Sequence, residues 1–214
     1  MSQNPYREDK EELRELIIQY QHLKHGRSHP FLDEDAFERI IDYYDEKDDL
    51  PEAMIAAELG LEQFPYSANL MIKKADLLLA SRKYQEALNL LETAELFDST
   101  DLNLFILKTD AYLALDQQAK AVELLEAALL LFEGEERLDL LFELADVYDD
   151  YEEFDKVFDC LKLILEEDPN NEEALYKICF WTDFTGRNEE SIKLHQSIIE
   201  EHPFSELAWF NLAA

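Results

Sequence analysis

The stretch NNEEALYKICFWTDFTGRNEESIKLHQSIIEEHP, residues 170–203, decides the fold. It opens behind Pro169 and closes on Pro203, a step of 34 residues. Leu175 and Cys179 stand four apart on one helical face, Gly186 marks a turn, and a second helical pattern follows to the closing proline. The same step recurs upstream. Pro65 to Pro169 is 104 residues, three such steps plus two, and the polar break EGEER (133–137) has room for the extra pair. Ala53, Ala87 and Ala121 are 34 apart, as are Gly60, Ala94 and Ala128, and Tyr44, Leu78 and Tyr112. Self-similarity at this period is the signature of a solenoid of helix pairs.

In these residues the chain resembles the tetratricopeptide repeat family, in its bacterial form. Counting from Glu34, the first repeat has Phe37, Tyr44, Ala53, Ala57, Gly60 and Pro65 at the places the family reserves for large, aromatic, small and terminating residues. The second, from Ala68, supplies Met71, Ala75, Leu78, Ala87, Leu91 and Ala94, and the third, from Leu102, Phe105, Tyr112, Ala121, Leu125 and Ala128. The fourth, from Leu138, has Leu141, Ala145, Tyr148, Leu161 and Pro169; the fifth, from Glu172, Leu175, Cys179, Gly186 and Pro203. Ile41, Thr109, Val157 and His195 depart from the pattern and bear on local helix spacing. The resemblance implies an all-α, right-handed superhelix of helix-turn-helix repeats. Its expected organisation is a capping helix and linker over 1–33, repeats at 34–67, 68–101, 102–137, 138–171 and 172–205, and the start of a sixth at 206–214. Small residues let paired helices approach closely, and neither helix can bury its apolar face without the next unit.

Leu13, Leu16, Ile17, Tyr20 and Leu23 share one face of a helix over 8–24, read as a cap on the first repeat, with a flexible partner-binding arm as the alternative. The last residues, WFNLAA, fall inside a helical pattern without a terminator, so the expectation is an N-terminal fragment of a longer array.

Composition narrows the function. Lys plus Arg is 19 against 50 Asp plus Glu, a formal net charge of −31. Nucleic acid and anionic membrane surfaces are poor partners for such a chain. A hydrophobic share of 47% supports a core, whereas four Gly and six Pro suit long helices rather than the many turns of a β domain. No apolar run reaches membrane length, and two Cys with no export signal point to the cytoplasm.

No catalytic constellation, cofactor motif or metal set emerges. Cys160 and Cys179 sit at packing positions with no base beside them in sequence. His22, His25 and His29 straddle a Gly break without a fourth ligand and read as a solvated turn. The acidic runs at 45–49, 149–155 and 166–168 lack a calcium-loop spacing and read as turn and cap residues.

The resemblance places a partner groove on the first helix of each repeat. Its ninth position reads Asp42, Asp76, Asp110 and Asp146, an expected carboxylate column that the nearby Lys73 and Lys177 partly neutralise. Toward the C-terminus Tyr176, Phe180 and Phe184 share one helical face, extended by Phe142 before and Phe210 after. Chaperone-binding members of the family use Asn where this column has Asp, so their carboxylate clamp is not implied. The expected function is a non-catalytic protein-protein interaction module or scaffold, holding a peptide or partner helix, with a basic partner favoured. The alternatives are self-association into a homo-oligomer and a non-catalytic arm of a longer enzyme.

Overall fold

The computed structural model describes residues 5–27 and 30–213, with side chains from Lys10 onward. Twelve helices and no strand are found among the described residues. The chain forms two compact units, Met1–Gln117 and Gln118–Ala214.

The first unit holds α1 (Pro5–Lys24), α2 (Glu34–Asp45), α3 (Leu50–Gln63), α4 (Ala68–Ala80), α5 (Tyr84–Glu95) and α6 (Leu102–Ala114). Side-chain oxygens start four of these helices by accepting a free backbone N–H of the first turn. Asp33 accepts from Ala36 at 2.9 Å, Ser67 from Leu70 at 3.1 Å, Asp101 from Asn103 at 2.8 Å and Asp49 from Glu52 at 3.3 Å. Pro51 lies in the first turn of α3, where its missing N–H has no partner to lose. The core fills from small and large residues in alternation: Ala53, Ala56 and Ala57 are fully buried beside Phe37, Ile40 and Leu70. Gly60 marks the closest approach. A Cβ there would stand 3.1 Å from Leu70 Cδ1 and 3.2 Å from Phe37 Cγ, so α2, α3 and α4 meet over a residue without a side chain. On α1, Tyr20 is fully buried against Tyr44, ring centroids 5.8 Å apart, and Lys24, Gln21 and the Tyr20 hydroxyl all reach the Glu52 carboxylate.

The second unit holds α7 (Gln118–Ala128), α8 (Glu135–Asp150), α9 (Phe154–Glu167), α10 (Glu172–Thr185), α11 (Asn188–Glu201) and α12 (Glu206–Ala213). Leu140, Leu141, Phe158, Leu161, Ile164 and Ile178 form its buried centre. Arg187, just before α11, stacks 4.1 Å from the Phe158 ring, pairs with Asp159 at 2.7 Å and donates to the Asp155 carbonyl at 3.0 Å.

The sequence period returns in the backbone. Asp48, Arg82, Asp116, Glu152 and Gly186 all take left-handed φ, between 57° and 72°, in the turn that joins the two helices of a pair. Their steps are 34, 34, 36 and 34 residues. The longer step contains EGEER, where Gly134 at φ 63° immediately precedes α8. Ala87, Ala94, Ala121 and Ala128 of the small-residue series are fully buried. Thr109, which stands where Ala75 and Ala145 stand in the flanking pairs, is buried with its hydroxyl unpartnered.

Candidate partner-binding surfaces

In the first unit α2 packs on α4 and α4 on α6, so these three helices share one layer. Asp42, Asp76 and Asp110 lie at the same register on this layer, all exposed. They are not equivalent. Lys73 of α4 pairs with Asp42. Asp76 and Asp110 have no ion-pair partner among the described residues. Partial desolvation, then the fields of Asp45 and Asp42, raise the Asp76 carboxyl above its ordinary range, with Lys73 opposing. Asp110 is raised by desolvation and by Asp76. Beside them opens a cleft of about 360 Å³ lined by Glu38, Ile72, Lys73, Asp76, Asn103 and Ile106. Glu38 is also raised, chiefly by desolvation.

Asp146 belongs to the second unit and meets different surroundings. Lys177 Nζ stands 3.6 Å from its carboxylate, 2.8 Å from Glu173 and 5.2 Å from the centre of the Phe142 ring. One ammonium thus offsets the aspartate and covers the aromatic that were expected to contribute separately. On α10, Phe180 and Phe184 are 61% and 58% exposed and their rings lie 6.1 Å apart, nearly parallel. They do not stand alone. Phe154, the first residue of α9, meets Phe184 edge-on at 4.6 Å and stacks on Trp181 at 5.2 Å, and Trp181 meets Phe180 at 4.9 Å. Sequence reasoning passed over Phe154 and the buried Trp181. The run FWTDF (180–184) held a signal, because residues three and four apart in a helix are neighbours. Tyr176, one turn earlier, and Phe210, on α12, are exposed, and the ring contacts of this cluster reach neither.

The remaining candidates for chemistry are quiet. Cys160 is buried and its thiol is pushed up to about 12 by desolvation, and Cys179 is also raised, so neither is a ready thiolate. Among the described residues no group of three His, Cys, Asp or Glu could hold a metal ion. His22 lies in the last turn of α1, His25 in the turn just after it, and His29 outside the described residues. His195 is a buried hydrogen-bonding residue. Its Nδ1 lies 2.8 Å from the Ser191 carbonyl and its Nε2 3.1 Å from Asn211 Nδ2, while Asn211 also donates to the Leu175 carbonyl at 2.7 Å. Burial lowers the His195 pKa, so the neutral ring donates from Nδ1 and accepts at Nε2. Of the acidic runs, 45–49 supplies a cap through Asp49, whereas Glu153 before α9 makes no side-chain cap bond and Asp168 accepts from the Asn170 N–H instead. No helix among the described residues is long and apolar enough to cross a membrane.

No family model and no curated protein matches the chain. Solved structures do. YrrB, described as a TPR protein with an unusual peptide-binding site, aligns over 91% of this chain and 97% of its own at 16% identity and a TM-score of 0.54. A thermophilic TPR protein of Thermus thermophilus aligns over 78% and 88% at 17% identity and 0.60, and MamA over 79% and 92% at 20% identity and 0.57. The repeating step of the sequence, its return in the left-handed turns and the likeness to these structures give the chain the bacterial-type tetratricopeptide repeat fold.

Proposed function

We propose that the chain is a non-catalytic interaction module that binds a peptide or partner helix on the first-helix faces of its repeats, and that basic segments are favoured on the α2–α4–α6 layer. The carrying observation is the pair Asp76 and Asp110: desolvation raises the proton affinity of both, Asp45 and Asp42 add to the first and Asp76 to the second, and neither has an ion-pair partner among the described residues. A lysine or arginine brought to this layer relieves that repulsion, and the cleft beside Asp76 offers Ile72 and Ile106 to an apolar neighbour. In the second unit the Phe180–Phe184 pair, backed by Trp181 and Phe154, supplies anchor area, because aromatic clusters seated on a rigid support dominate binding energy. YrrB, of the same fold, carries a peptide-binding site by its description, which supports this class of partner. A cytoplasmic setting goes with the reading. Self-association through the Phe180–Phe184 face is the second reading, favoured by the exposure of both rings.

Calorimetric titration with a lysine-rich peptide tests the acidic layer. Asp76→Asn with Asp110→Asn is expected to weaken binding about tenfold at low salt and to flatten its salt dependence. Unchanged affinity and slope would sink the proposal.

A further inference from the structure

A second surface lies at the N-terminal ends of α2 and α4, where the second helix of one pair turns into the first helix of the next. Tyr66 and Phe97, from the successive turns α3–α4 and α5–α6, meet with ring centroids 5.5 Å apart at an interplanar angle of 53°. They are 73% and 48% exposed. Two aromatics held together in the open are an unusual use of surface, since neither is needed to close the core. They border a cleft of about 540 Å³ that Glu34, Gln63, Phe64 and Asp98 also line.

The charge around the rings has one sign. Asp98 Oδ1 accepts from the Thr100 N–H and hydroxyl, both at 2.8 Å, which fixes the carboxylate and holds it below the usual range. Glu34 accepts from the Ser67 hydroxyl. Helices α3 and α5 end at this cleft, and the carbonyl ends of helices favour cations. The N-terminus of α4 opposes this, but its Leu70 N–H is already taken by Ser67 Oγ. No Lys or Arg lines the cleft.

We infer that the Tyr66–Phe97 cleft is a binding site for an arginine side chain of an extended peptide, whose guanidinium stacks on the two rings between Glu34 and Asp98. The planar guanidinium matches both requirements at once, because it stacks on aromatic faces and forks to carboxylates, which a lysine ammonium does less well. Neither Asp76 nor Asp110 lines this cleft, so the two proposals are tested by different residues.

The test is fluorescence anisotropy of the full chain with a labelled Gly-Arg-Leu-Arg-Gly peptide. The comparison peptide carries citrulline in place of arginine, of the same shape without charge. The arginine peptide is expected to bind and the citrulline peptide to bind at least about fivefold more weakly. Tyr66→Ala with Phe97→Ala, both exposed and outside the core, is expected to lose about the same factor with an unchanged thermal melt. Asp98→Asn should weaken binding in the same direction. Asp76→Asn with Asp110→Asn removes only the acidic layer's own pull on a basic peptide, so in that background Tyr66→Ala with Phe97→Ala should still cost the same factor. Equal binding of the two peptides, full binding by the Tyr66/Phe97 variant, or loss of binding only in the Asp76/Asp110 variant would each overturn the inference.

Discussion

Arg82 and Glu152 are asked to do something their side chains resist. A left-handed φ crowds Cβ against the backbone by about 1–2 kcal/mol in most residues, less in Asp and Asn. At the equivalent turn Gly186 carries no such strain, and Asp48 and Asp116 carry less. Arg82→Gly and Glu152→Gly are therefore expected to stabilise the fold by about 1 kcal/mol each, less the added flexibility of the unfolded chain. In a protein of this length that is a rise of about 2–4 °C in a thermal melt; a fall in both variants would refute the strain argument. These turns also show where sequence reading reaches its limit. Gly186 was legible as a turn residue because only its type advertises the conformation. Arg82 and Glu152 advertise nothing, and only the 34-residue phase leads to them. The aspartates divide in the same way. Asp42, Asp76, Asp110 and Asp146 were legible as a register, and Lys73 and Lys177 as cations able to offset part of it, but that Lys73 meets Asp42 rather than Asp76, and Lys177 meets Asp146, no spacing along the chain reveals.

Between helices, the close approach at Gly60 and the tie at His195 carry the sharpest expectations. Gly60→Ala forces a methyl group into contacts of 3.1–3.3 Å with Leu70 and Phe37. Overpacking of this kind costs about 1–3 kcal/mol, which a urea melt would read as a lower midpoint with an unchanged slope. His195 joins α11 to α12 through Asn211 as a neutral ring. Its pKa is lowered by burial, so below about pH 6.5, the ordinary His value, the unfolded chain takes up a proton that the folded one resists, and stability falls with acidification until the folded ring itself titrates. A protonated Nε2 can no longer accept from Asn211. Protection factors in α12, with the intrinsic pH dependence of amide exchange divided out, should thus fall between pH 7 and pH 5, and the fall should vanish in His195→Gln; equal protection at both pH values would remove the role. The helix pairing itself was readable from buried alanines such as Ala53, Ala87 and Ala121, since small residues at a fixed step have few other uses. The Phe154–Trp181 backing of the exposed rings was not, because it forms between helices from positions the repeat pattern leaves unassigned.

At the scale of the whole chain the formal charge of −31 sets the response to pH and salt. Glu38, Asp76 and Asp110 in the first unit are raised, so folding binds protons there, and their repulsion is relieved as the pH falls from neutral toward the ordinary carboxylate range near 4. Desolvation raises Glu52, but the Lys24 hydrogen bond and charge together with the hydrogen bonds of Gln21 and Tyr20 outweigh it and lower the group, so Glu52 works oppositely, and its contribution is lost only as the pH falls below the ordinary range. Around pH 5.5 the first unit should accordingly be at least as stable as at pH 7. In Asp76→Asn with Asp110→Asn that gain on acidification should shrink, as read by thermal melts at the two pH values. A parent protein whose melt responds to pH as the variant's does would contradict the assignment.

Among the described residues of each unit, the main helix packings are between helices one or two places apart along the chain. Such connectivity has a kinetic consequence. Every contact closes a short loop, so the chain loses little entropy before native packing rewards it, and helical arrays of this kind fold on the microsecond-to-millisecond scale. Folding can begin at any well-packed pair, such as α2 and α3 over Gly60, and spread by single-repeat additions. A nascent chain leaving the ribosome would bury its α2–α3 apolar surface before α10 had been made.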